Sequence, residues 1–335
     1  MSEWSKRKRL EAVVNGEKPD RLPVALWRHW PGDDQDATAL AAAHLKWQAD
    51  YDWDLVKVSP ASSYCLVDWG VEDRWEGAAE GTRAYGKRLI QEPDDWLKLE
   101  ALDPGQGMLA TQLEALRLVG QGLGSREAGG TPFIATIFSP LAQAKNLAGG
   151  QRLISHLRSH PDEVTRGLET ITTSILRYVG AARETGISGI FYAIQHARYE
   201  LLSPVEYQVF GRPYDEEILT AVSDMWFNMV HIHGESDIMF DLVADYPVQC
   251  VNWHDRDTGL SLSEGLAMFS GIVSGGVSRW SLLKESPERA LAEAEEALQE
   301  TDGRRLLLGV GCVIMTNTPT RNIRALRAFV EGGAG

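Results

Sequence analysis

Residues 226–235 read W-F-N-M-V-H-I-H-G-E, an apolar run that leads into two histidines, a glycine and a glutamate. A short apolar run bounded by glycine is typical of a strand buried on both faces, although periodicity alone does not exclude a helix. Residues two apart in a strand project to the same side, so His231 and His233 can face one object. Two interpretations stay open: a pair of metal ligands, or two ordinary histidines in a loop.

Short apolar runs of this kind recur along the chain and alternate with helical patterns. With the opening stretch as the fifth of eight, the other strand candidates are residues 22–27, 54–58, 132–137, 189–194, 249–253, 271–274 and 305–309. This alternation predicts an α/β fold, and eight strands in 335 residues predict a single (β/α)8 TIM barrel over residues 1–335. Residues 66–105 fit neither a strand nor one long helix. We therefore expect an insertion after the second strand, with a small hairpin over the C-terminal mouth of the barrel.

Composition narrows the class of protein. The chain is 44% hydrophobic and 24% charged, as soluble globular proteins are. Its net charge of −14 argues against a nucleic-acid or anionic-membrane partner, because such surfaces need clustered Lys and Arg. No run approaches the ~18 apolar residues of a membrane span, and the N-terminus lacks the apolar part of a signal peptide. Three widely spaced cysteines (Cys65, Cys250 and Cys312) argue against a disulfide framework. We expect a cytoplasmic protein.

The chemically active residues concentrate after the predicted strands. Five of the eight histidines follow strand ends, namely His29, His196, His231, His233 and His254. Cys312 follows the eighth strand and therefore lies on the same face. Barrel enzymes build their sites at the C-terminal ends of the strands, so this face is the predicted functional site.

Zinc is the metal that suits this set of side chains. Catalytic zinc takes three protein ligands from His, Cys and carboxylates and keeps a fourth position open, which His231, His233 and Cys312 would satisfy. The alternative for Cys312 is a small buried hydrophobic residue. Glu235 is a fourth ligand, a partner that orients a histidine, or a general acid/base, and the sequence leaves the three roles open.

Four segments resemble the uroporphyrinogen decarboxylase superfamily, in addition to the His-containing end of the fifth strand. They are R-L-P-V-A-L-W-R at 21–28, G-I-F-Y-A-I-Q at 189–195, V-N-W-H-D at 251–255 and the closing G-V-G-C-V-I-M-T-N-T-P-T-R-N-I-R-A-L at 309–326. The resemblance implies a TIM barrel. It also implies one of the family's chemistries: the decarboxylase of the haem pathway, zinc-dependent methylcobamide:thiol methyltransferases or, more distantly, cobalamin-independent methionine synthase.

Departures from the decarboxylase pattern favour the methyltransferase branch. Decarboxylases carry Arg-Gln-Ala-Gly-Arg-Tyr after the first strand, whereas here Arg28 is followed by H-W-P-G and the second arginine is missing. They also place an aspartate after the second strand, and residues 59–64 contain no acid. The last motif has Gly311-Cys312, as in the methyltransferases, where decarboxylases have Gly-His. The methyltransferase zinc motif is His-x-Cys, so His233 replaces a cysteine and makes the bound metal less electron-rich.

The resemblance therefore implies a zinc-dependent methyltransferase that moves a methyl group from a corrinoid or other methylated donor to a thiol or similar acceptor. Its partners would be a small-molecule substrate and a corrinoid protein, and a homodimer stays open. We assign catalytic roles to Glu235, His254 and Arg28. Arg28, Lys57 and Arg256 are candidates to hold an anionic substrate. The predicted substrate-binding residues are Arg28, His29, Lys57, Tyr64, Tyr192, Gln195, Asn252 and Trp253.

Two other functions remain open at this point. One is a metal-free decarboxylase of a tetrapyrrole or other carboxylate, in which Arg28 and His29 bind carboxylates and protonate the product. The other is a barrel without catalysis that binds a ligand or a partner chain.

Overall fold

The computed structural model describes residues 4–124, 130–284 and 286–332. The strands of these residues are β1 (Val56–Val58), β2 (Glu72–Arg74), β3 (Ala84–Lys87), β4 (Phe133–Phe138), β5 (Gly189–Ile194), β6 (Met229–Ile232), β7 (Cys250–Trp253), β8 (Ile272–Val277) and β9 (Leu306–Val310). Seven of them form one parallel sheet in the order β1-β4-β5-β6-β7-β8-β9. This α/β architecture confirms seven of the eight predicted strands, with ends that differ by a few residues.

α-Helices separate most of the parallel strands, while a 3-10 helix at Phe240–Leu242 lies between β6 and β7. The α-helices are α1 (Lys6–Val14), α2 (Ala37–Tyr51), α3 (Gly107–Leu123), α4 (Pro140–Ala148), α5 (Gly150–Ser159), α6 (Pro161–Arg183), α7 (Pro204–Phe210), α8 (Arg212–Ala221), α9 (Leu262–Met268), α10 (Arg279–Leu283), α11 (Glu288–Thr301) and α12 (Thr320–Gly332). Proline at the first turn starts α4, α6 and α7, because its missing N–H has no helical partner there. Within the described residues, no helix has the length and apolar character needed to span a membrane.

The predicted first strand, residues 22–27, forms a single parallel bridge instead of a ladder. Val24 bridges to Leu308 of β9, and the Leu308 N–H donates to the Pro23 carbonyl at 2.9 Å. On the other side, the Asp54 N–H donates to the Val24 carbonyl at 3.0 Å. Pro23 has no N–H to extend the pairing, which keeps the segment short. The segment nevertheless contacts the chain at both edges of the sheet.

Alternate residues of the sheet enter two different apolar clusters. The cluster on the inner face contains Ile134, Phe191, Met229, Cys250 and Leu307. The residues between them pack in the larger cluster with the helices, as Tyr192, Val230, Val251 and Leu306 do. Because successive strand side chains point to opposite faces, inner-face positions two residues further on carry the polar groups of the C-terminal edge. The polar positions are Thr136, His231 and Asn252, whereas the equivalent position of β5 is Ala193.

Residues 66–105 contain the predicted hairpin, β2 paired antiparallel with β3, between two short 3-10 helices at Val67–Trp69 and Pro93–Lys98. The loop between β2 and β3 packs against the C-terminal ends of the parallel strands. The Thr316 N–H donates to the Ala79 carbonyl at 2.7 Å, and a Cβ at Gly81 would lie 2.6 Å from the His29 Cβ. This loop therefore covers part of the predicted site.

Candidate metal centre and substrate cavity

Four potential metal donors converge at the C-terminal edge of the sheet. They are the imidazoles of His231, His233 and His254 and the thiol of Cys312, and their ligand atoms all lie within 4.8 Å of one another. The Cys312 Sγ is 3.9 Å from His233 Nδ1. The structure thus brings together the three predicted ligands and adds His254, which the sequence analysis placed in a catalytic role.

Asn252 determines which nitrogen of His231 carries a lone pair. The two residues are cross-strand partners of β6 and β7, and Asn252 Oδ1 lies 2.7 Å from His231 Nδ1. The Asn252 amide nitrogen donates to the carbonyls of Ser274 at 2.8 Å and Val310 at 3.0 Å, so its oxygen must face the histidine. His231 Nδ1 therefore donates its proton to Asn252, and the buried Nε2 keeps a lone pair without a hydrogen-bond partner.

His254 has the same arrangement with a carboxylate. Its Nδ1 lies 3.3 Å from Asp257 Oδ2, and its buried Nε2 has no hydrogen-bond partner among the described residues. Metal-binding histidines commonly have their second nitrogen held by a carboxylate or a carbonyl in this way. Buried lone pairs are costly unless a cation or a proton satisfies them, and three of the four donors suffice for a catalytic zinc, so this donor set fits such a metal ion.

Burial sets the protonation states of three of these side chains, His231, His233 and Cys312. It lowers the pKa of His233 to about 3, with the neighbouring His254 adding to the shift, and it lowers the pKa of His231 well below its ordinary value. These imidazoles are therefore neutral at neutral pH, which is the form that binds metals. Burial also raises the pKa of the Cys312 thiol to about 11, and the positive charge of Arg279 opposes that shift.

A cavity of about 280 Å³ opens beside this group. His231, His233 and Cys312 form part of its wall. The β2–β3 loop closes one side through Glu80, Thr82 and Arg83. The remaining lining residues are Trp27, His29, Lys57, Ser62, Tyr85, Thr136, Phe138, Lys145, Asn146, Phe191, Ala193, Gln195 and Val313.

Three of the predicted substrate-binding residues, His29, Lys57 and Gln195, line the cavity. His29 Nδ1 is 3.2 Å from the Pro60 carbonyl, and burial lowers the pKa of His29 to about 3, so it is neutral at neutral pH. Gln195 accepts a hydrogen bond from Lys145 at 2.6 Å. Asn252 acts on the cavity indirectly, through His231.

Three aromatic residues predicted to line the site lie elsewhere, and strand alternation explains two of them. Tyr192 is on the outer face and donates to Asp215 at 2.6 Å. Trp253 is also on the outer face, where its Nε1 donates to the Leu260 carbonyl at 3.0 Å. Tyr64 follows β1 and is buried, with its hydroxyl donating to the Thr136 carbonyl at 2.8 Å. Their side chains stabilise the packing of helices on the sheet.

Of the three charged residues predicted to hold an anionic substrate, Lys57 lines the cavity, whereas Arg28 and Arg256 do not. The Arg28 guanidinium lies over the Trp30 ring, 4.7 Å from its centroid, and does not line the cavity. Arg256 donates to the carbonyls of Gly276 and Glu293 at 2.8 and 2.7 Å, on the helix side of the sheet. Both side chains extend away from the inner face, so neither is placed to hold a ligand there.

Glu235 is at the rim of the site. Its side chain is 58% exposed and accepts from Arg279 at 2.6 Å. Arg279 is itself buried and also donates to Glu80 of the β2–β3 loop at 2.6 Å. Glu235 thus lies in an ion-pair network that connects the loop to the start of α10, and it does not line the cavity described above.

The sequence analysis missed Lys145, Arg83 and Arg279, which lie in or beside the cavity. Arg279 is the first residue of α10 and closely follows the end of β8, so its position just beyond a strand end was a usable signal. Lys145 lies further along, in the second half of α4, the helix that follows β4. Arg83 belongs to the hairpin loop, whose contacts across the site no local pattern predicts.

Comparisons with known proteins agree with this architecture. The model of the family described as uroporphyrinogen decarboxylase (URO-D) matches residues 5–332. The methylcobamide:CoM methyltransferase MtbA of Methanosarcina acetivorans is 20% identical over 342 residues, which cover 97% of each chain. A uroporphyrinogen decarboxylase of Syntrophotalea carbinolica is 26% identical over 230 residues, 67% of this chain and 65% of that one.

A solved structure, a methyltransferase from Methanosarcina mazei, superposes with a TM-score of 0.86 at 20% identity, covering 99% of this chain and 100% of that one. At this identity the likeness shows a shared fold. Because the family model extends over nearly the whole sequence, the chain belongs to the uroporphyrinogen decarboxylase (URO-D) family.

Proposed function

We propose that this chain is a zinc-dependent methyltransferase that transfers a methyl group from a corrinoid or another methylated donor to a thiol. The observation that carries the proposal is the convergence of His231, His233, His254 and Cys312 within 4.8 Å beside a cavity of about 280 Å³. Relatives named methylcobamide:CoM methyltransferases, which match almost the full chain, support the classes of donor and acceptor.

His231, His233 and Cys312 would hold the zinc. When bound, zinc lowers the pKa of a thiol that joins it and so supplies a thiolate at neutral pH. Asn252 keeps the His231 Nε2 lone pair directed at the site, and the Cys312 thiol gives up its proton when the cation binds.

His254 is suited to take the proton of the acceptor thiol. Its Nε2 lone pair faces the other three donors, and Asp257 on Nδ1 would stabilise the imidazolium that forms. Neutral histidine is the usual general base at neutral pH. Glu235 acts in this scheme through its ion pair with Arg279. Arg279 also pairs with Glu80 and so holds the β2–β3 loop over the cavity.

We also infer that the sheet closes as an eight-stranded barrel through residues 22–27. This inference is supported by the hydrogen bonds from Leu308 to Pro23 and from Asp54 to Val24, at the two sheet edges. Residues 66–105 would then be an insertion after the second barrel strand, over the mouth.

A metal-free decarboxylase is the second candidate, favoured by the 26% identity to a uroporphyrinogen decarboxylase over 230 residues. The cavity argues against a tetrapyrrole substrate. Arg28, the arginine expected to clamp a carboxylate, does not line it.

Elemental analysis of protein purified without a metal-affinity tag is the first test. We expect about one zinc per chain and thiol-dependent loss of the methyl group from methylcobalamin, followed by absorbance. Cys312→Ser should abolish both, whereas Cys65→Ser, a change at a buried cysteine away from the site, should keep the zinc. Zinc-free protein that decarboxylates a tetrapyrrole would establish the second candidate. Zinc without turnover of any thiol would favour a binding function.

A further inference from the structure

One buried tryptophan attaches the end of residues 66–105 to helices α5 and α6. Trp96 lies in the 3-10 helix Pro93–Lys98 and is fully buried. The structure describes all of residues 91–100, and Trp96 is the only one of them that is buried. Its ring packs so closely on α6 that a Cβ at Gly167 would lie 2.6 Å from Trp96 Cε3. The attachment of residues 91–100, the anchored segment, therefore depends mainly on this side chain.

Hydrogen bonds of the backbone hold the two ends of the anchored segment. On one side, the Ile90 N–H donates to the Leu147 carbonyl at 3.1 Å. On the other side, the Leu102 N–H donates to Ser174 Oγ at 3.0 Å. None of these groups titrates near neutral pH. The anchored segment can thus separate from α5 and α6 while both of its ends stay in place.

A histidine accepts the hydrogen bond of the Trp96 indole. Trp96 Nε1 donates to Nδ1 of His156 at 3.1 Å, and His156 is a buried residue of α5. Because an indole N–H can only donate, Nδ1 must carry a lone pair and Nε2 the proton of the neutral imidazole. Protonation turns Nδ1 into a second donor that faces the indole N–H. Among the described residues the indole has no other hydrogen-bond partner, so this proton leaves a buried donor unsatisfied.

The charged and titratable groups around His156 act in both directions. His160 follows α5, with its ring centroid 6.1 Å from that of His156, and Arg152 is one turn earlier on α5. The anchored segment contributes Glu92 and Asp95, whose negative charges favour the imidazolium. Burial, helped by His160 and Arg152, nevertheless lowers the pKa of His156. The folded chain therefore prefers the neutral imidazole, and protonation of His156 destabilises the folded arrangement.

We propose that the hydrogen bond between Trp96 and His156 is an acid-sensitive anchor of residues 91–100. At neutral pH the bond holds the segment on α5 and α6. In acid, two facing donors replace the bond, and the segment separates from the helices more often. The indole still favours burial, so we expect the open population to rise by about tenfold, as the loss of one buried hydrogen bond predicts, while the rest of the chain stays folded. The anchored segment does not line the cavity, and the inference is independent of methyl transfer.

NMR of the full chain labelled with ¹⁵N-tryptophan tests the hydrogen bond. Trp96→Phe identifies the Trp96 indole signal among those of the 11 tryptophans. We expect this signal to shift between pH 7.5 and pH 4.5, with a midpoint below the ordinary histidine value of 6.5. His156→Asn should remove the shift, because its amide oxygen can accept the indole proton at every pH. His160→Asn is the matched control at the neighbouring, 45% exposed histidine, which lies 3.9 Å from Glu163, and it should keep the shift.

Hydrogen exchange of the backbone amides measures the opening. After correction for the intrinsic pH dependence of exchange, protection of the anchored segment should fall by about tenfold from pH 7.5 to pH 4.5, relative to protection of β5. The decrease should be much smaller in His156→Asn and unchanged in His160→Asn. Melting temperatures show whether each variant folds, and both wild-type titrations need no variant to fold.

The coupling must also act in the reverse direction. Without the indole donor the neutral imidazole of His156 loses its hydrogen bond, so Trp96→Phe should raise the pKa of His156, measured from its ring C–H signals. A Trp96 signal that does not respond to pH, or that responds equally in His156→Asn, would overturn the proposal. Equal protection of the anchored segment at the two pH values would do so too.

Discussion

The chemistry of the donor cluster depends on the residues that hold each imidazole by its second nitrogen. Asn252 holds His231 and Asp257 holds His254, and both contacts leave a buried Nε2 lone pair facing the cluster. The two partners differ in charge, however. A carboxylate stabilises a protonated imidazole whereas a neutral amide does not, so His254 is better suited than His231 to accept a proton.

We predict that His254→Ala keeps about one zinc per chain but loses roughly 10²–10⁴-fold of the methyl-transfer rate, the usual contribution of a general base. Asp257→Asn should lose part of the rate and also keep its metal. Zinc content by elemental analysis and single-turnover rates measure the two effects. A His254→Ala protein that no longer holds zinc would show that His254 is a fourth ligand.

The sequence indicated which residues could come together where a residue type limits the chemistry, as with His231, His233 and Cys312, whose side chains converge in the structure. Side-chain direction was harder. Tyr192 was assigned to the cavity, yet it is one position before Ala193, the cross-strand neighbour of His231 in the parallel sheet. Applying the two-residue period outward from His231 would have put Tyr192 on the outer face. Tyr64 lies outside a strand, so no period was available for it.

At the scale of elements, the strands supply only part of the lining of the site, and loops and helices supply the rest. The β2–β3 loop returns across the strand ends at Gly81, where φ is +84° and a Cβ would meet the His29 Cβ at 2.6 Å. Gly77 in the same loop has nearly the same conformation, with φ at +87°, but a Cβ added there would have no other atom within 4 Å among the described residues. Substitutions at the two glycines therefore distinguish the cost of the backbone conformation from the cost of close packing.

We expect Gly81→Ala to displace the loop and weaken acceptor binding, because Glu80 and Thr82 line the cavity. Both Gly81→Ala and Gly77→Ala incur the cost of positive φ, about 1–2 kcal/mol, but only Gly81→Ala adds a steric clash of about 1–3 kcal/mol. Denaturant unfolding and KM for the thiol measure the difference. Equal KM values in the two variants would show that the loop does not shape the cavity.

A second cluster joins several elements on the outer face. Asp215 of α8 is buried and accepts hydrogen bonds from Tyr192, Tyr207 and Tyr246 at 2.6, 2.6 and 3.2 Å. Burial raises the pKa of Asp215 to about 6, and the three hydroxyl donors only partly oppose it. The carboxyl therefore binds its proton more tightly in the folded than in the unfolded chain.

This shift predicts how stability depends on pH. A raised carboxyl pKa contributes stability that is fully present below the unfolded value of about 3.8 and is lost as pH rises through the folded value of about 6. The free energy of unfolding of the wild type, minus that of Asp215→Asn, should therefore fall between pH 4.5 and pH 7. Urea unfolding of both proteins at several pH values measures it. A difference that stays constant or rises with pH would contradict the assignment.

Strand–helix alternation predicted the order of the elements because each βα unit is local in sequence. It did not predict that residues 22–27 would pair so briefly, since this depends on Pro23 and on the partner at Leu308, far along the chain. The position of the β2–β3 loop over the site could not be predicted either, because it depends on contacts between residues far apart in sequence, such as Thr316 and Ala79.

At the scale of the whole molecule, the two ends of the described chain meet around Asp52. Arg327 of α12 donates to its carboxylate at 3.0 Å, and Lys6 of α1 pairs with the same group. The neighbouring Asp54 is fully buried and accepts from Arg9 and Arg21, each at 2.7 Å. The main apolar cluster also draws on residues from Leu22 to Val330. These contacts support the proposal that residues 1–335 form one cooperative unit.

We therefore predict a single unfolding transition, coincident by tryptophan fluorescence and far-UV circular dichroism. Asp54→Ala should lower the free energy of unfolding by about 3–5 kcal/mol, because it leaves buried arginine charge without one of its partners. Asp50→Ala removes an exposed ion pair with Lys46 and should cost less than about 0.5 kcal/mol. Both probes should shift together in Asp54→Ala, since its contacts join α1, the segment 22–27 and the start of β1. An early transition seen by one probe alone would instead show that the ends of the chain unfold as a separate unit.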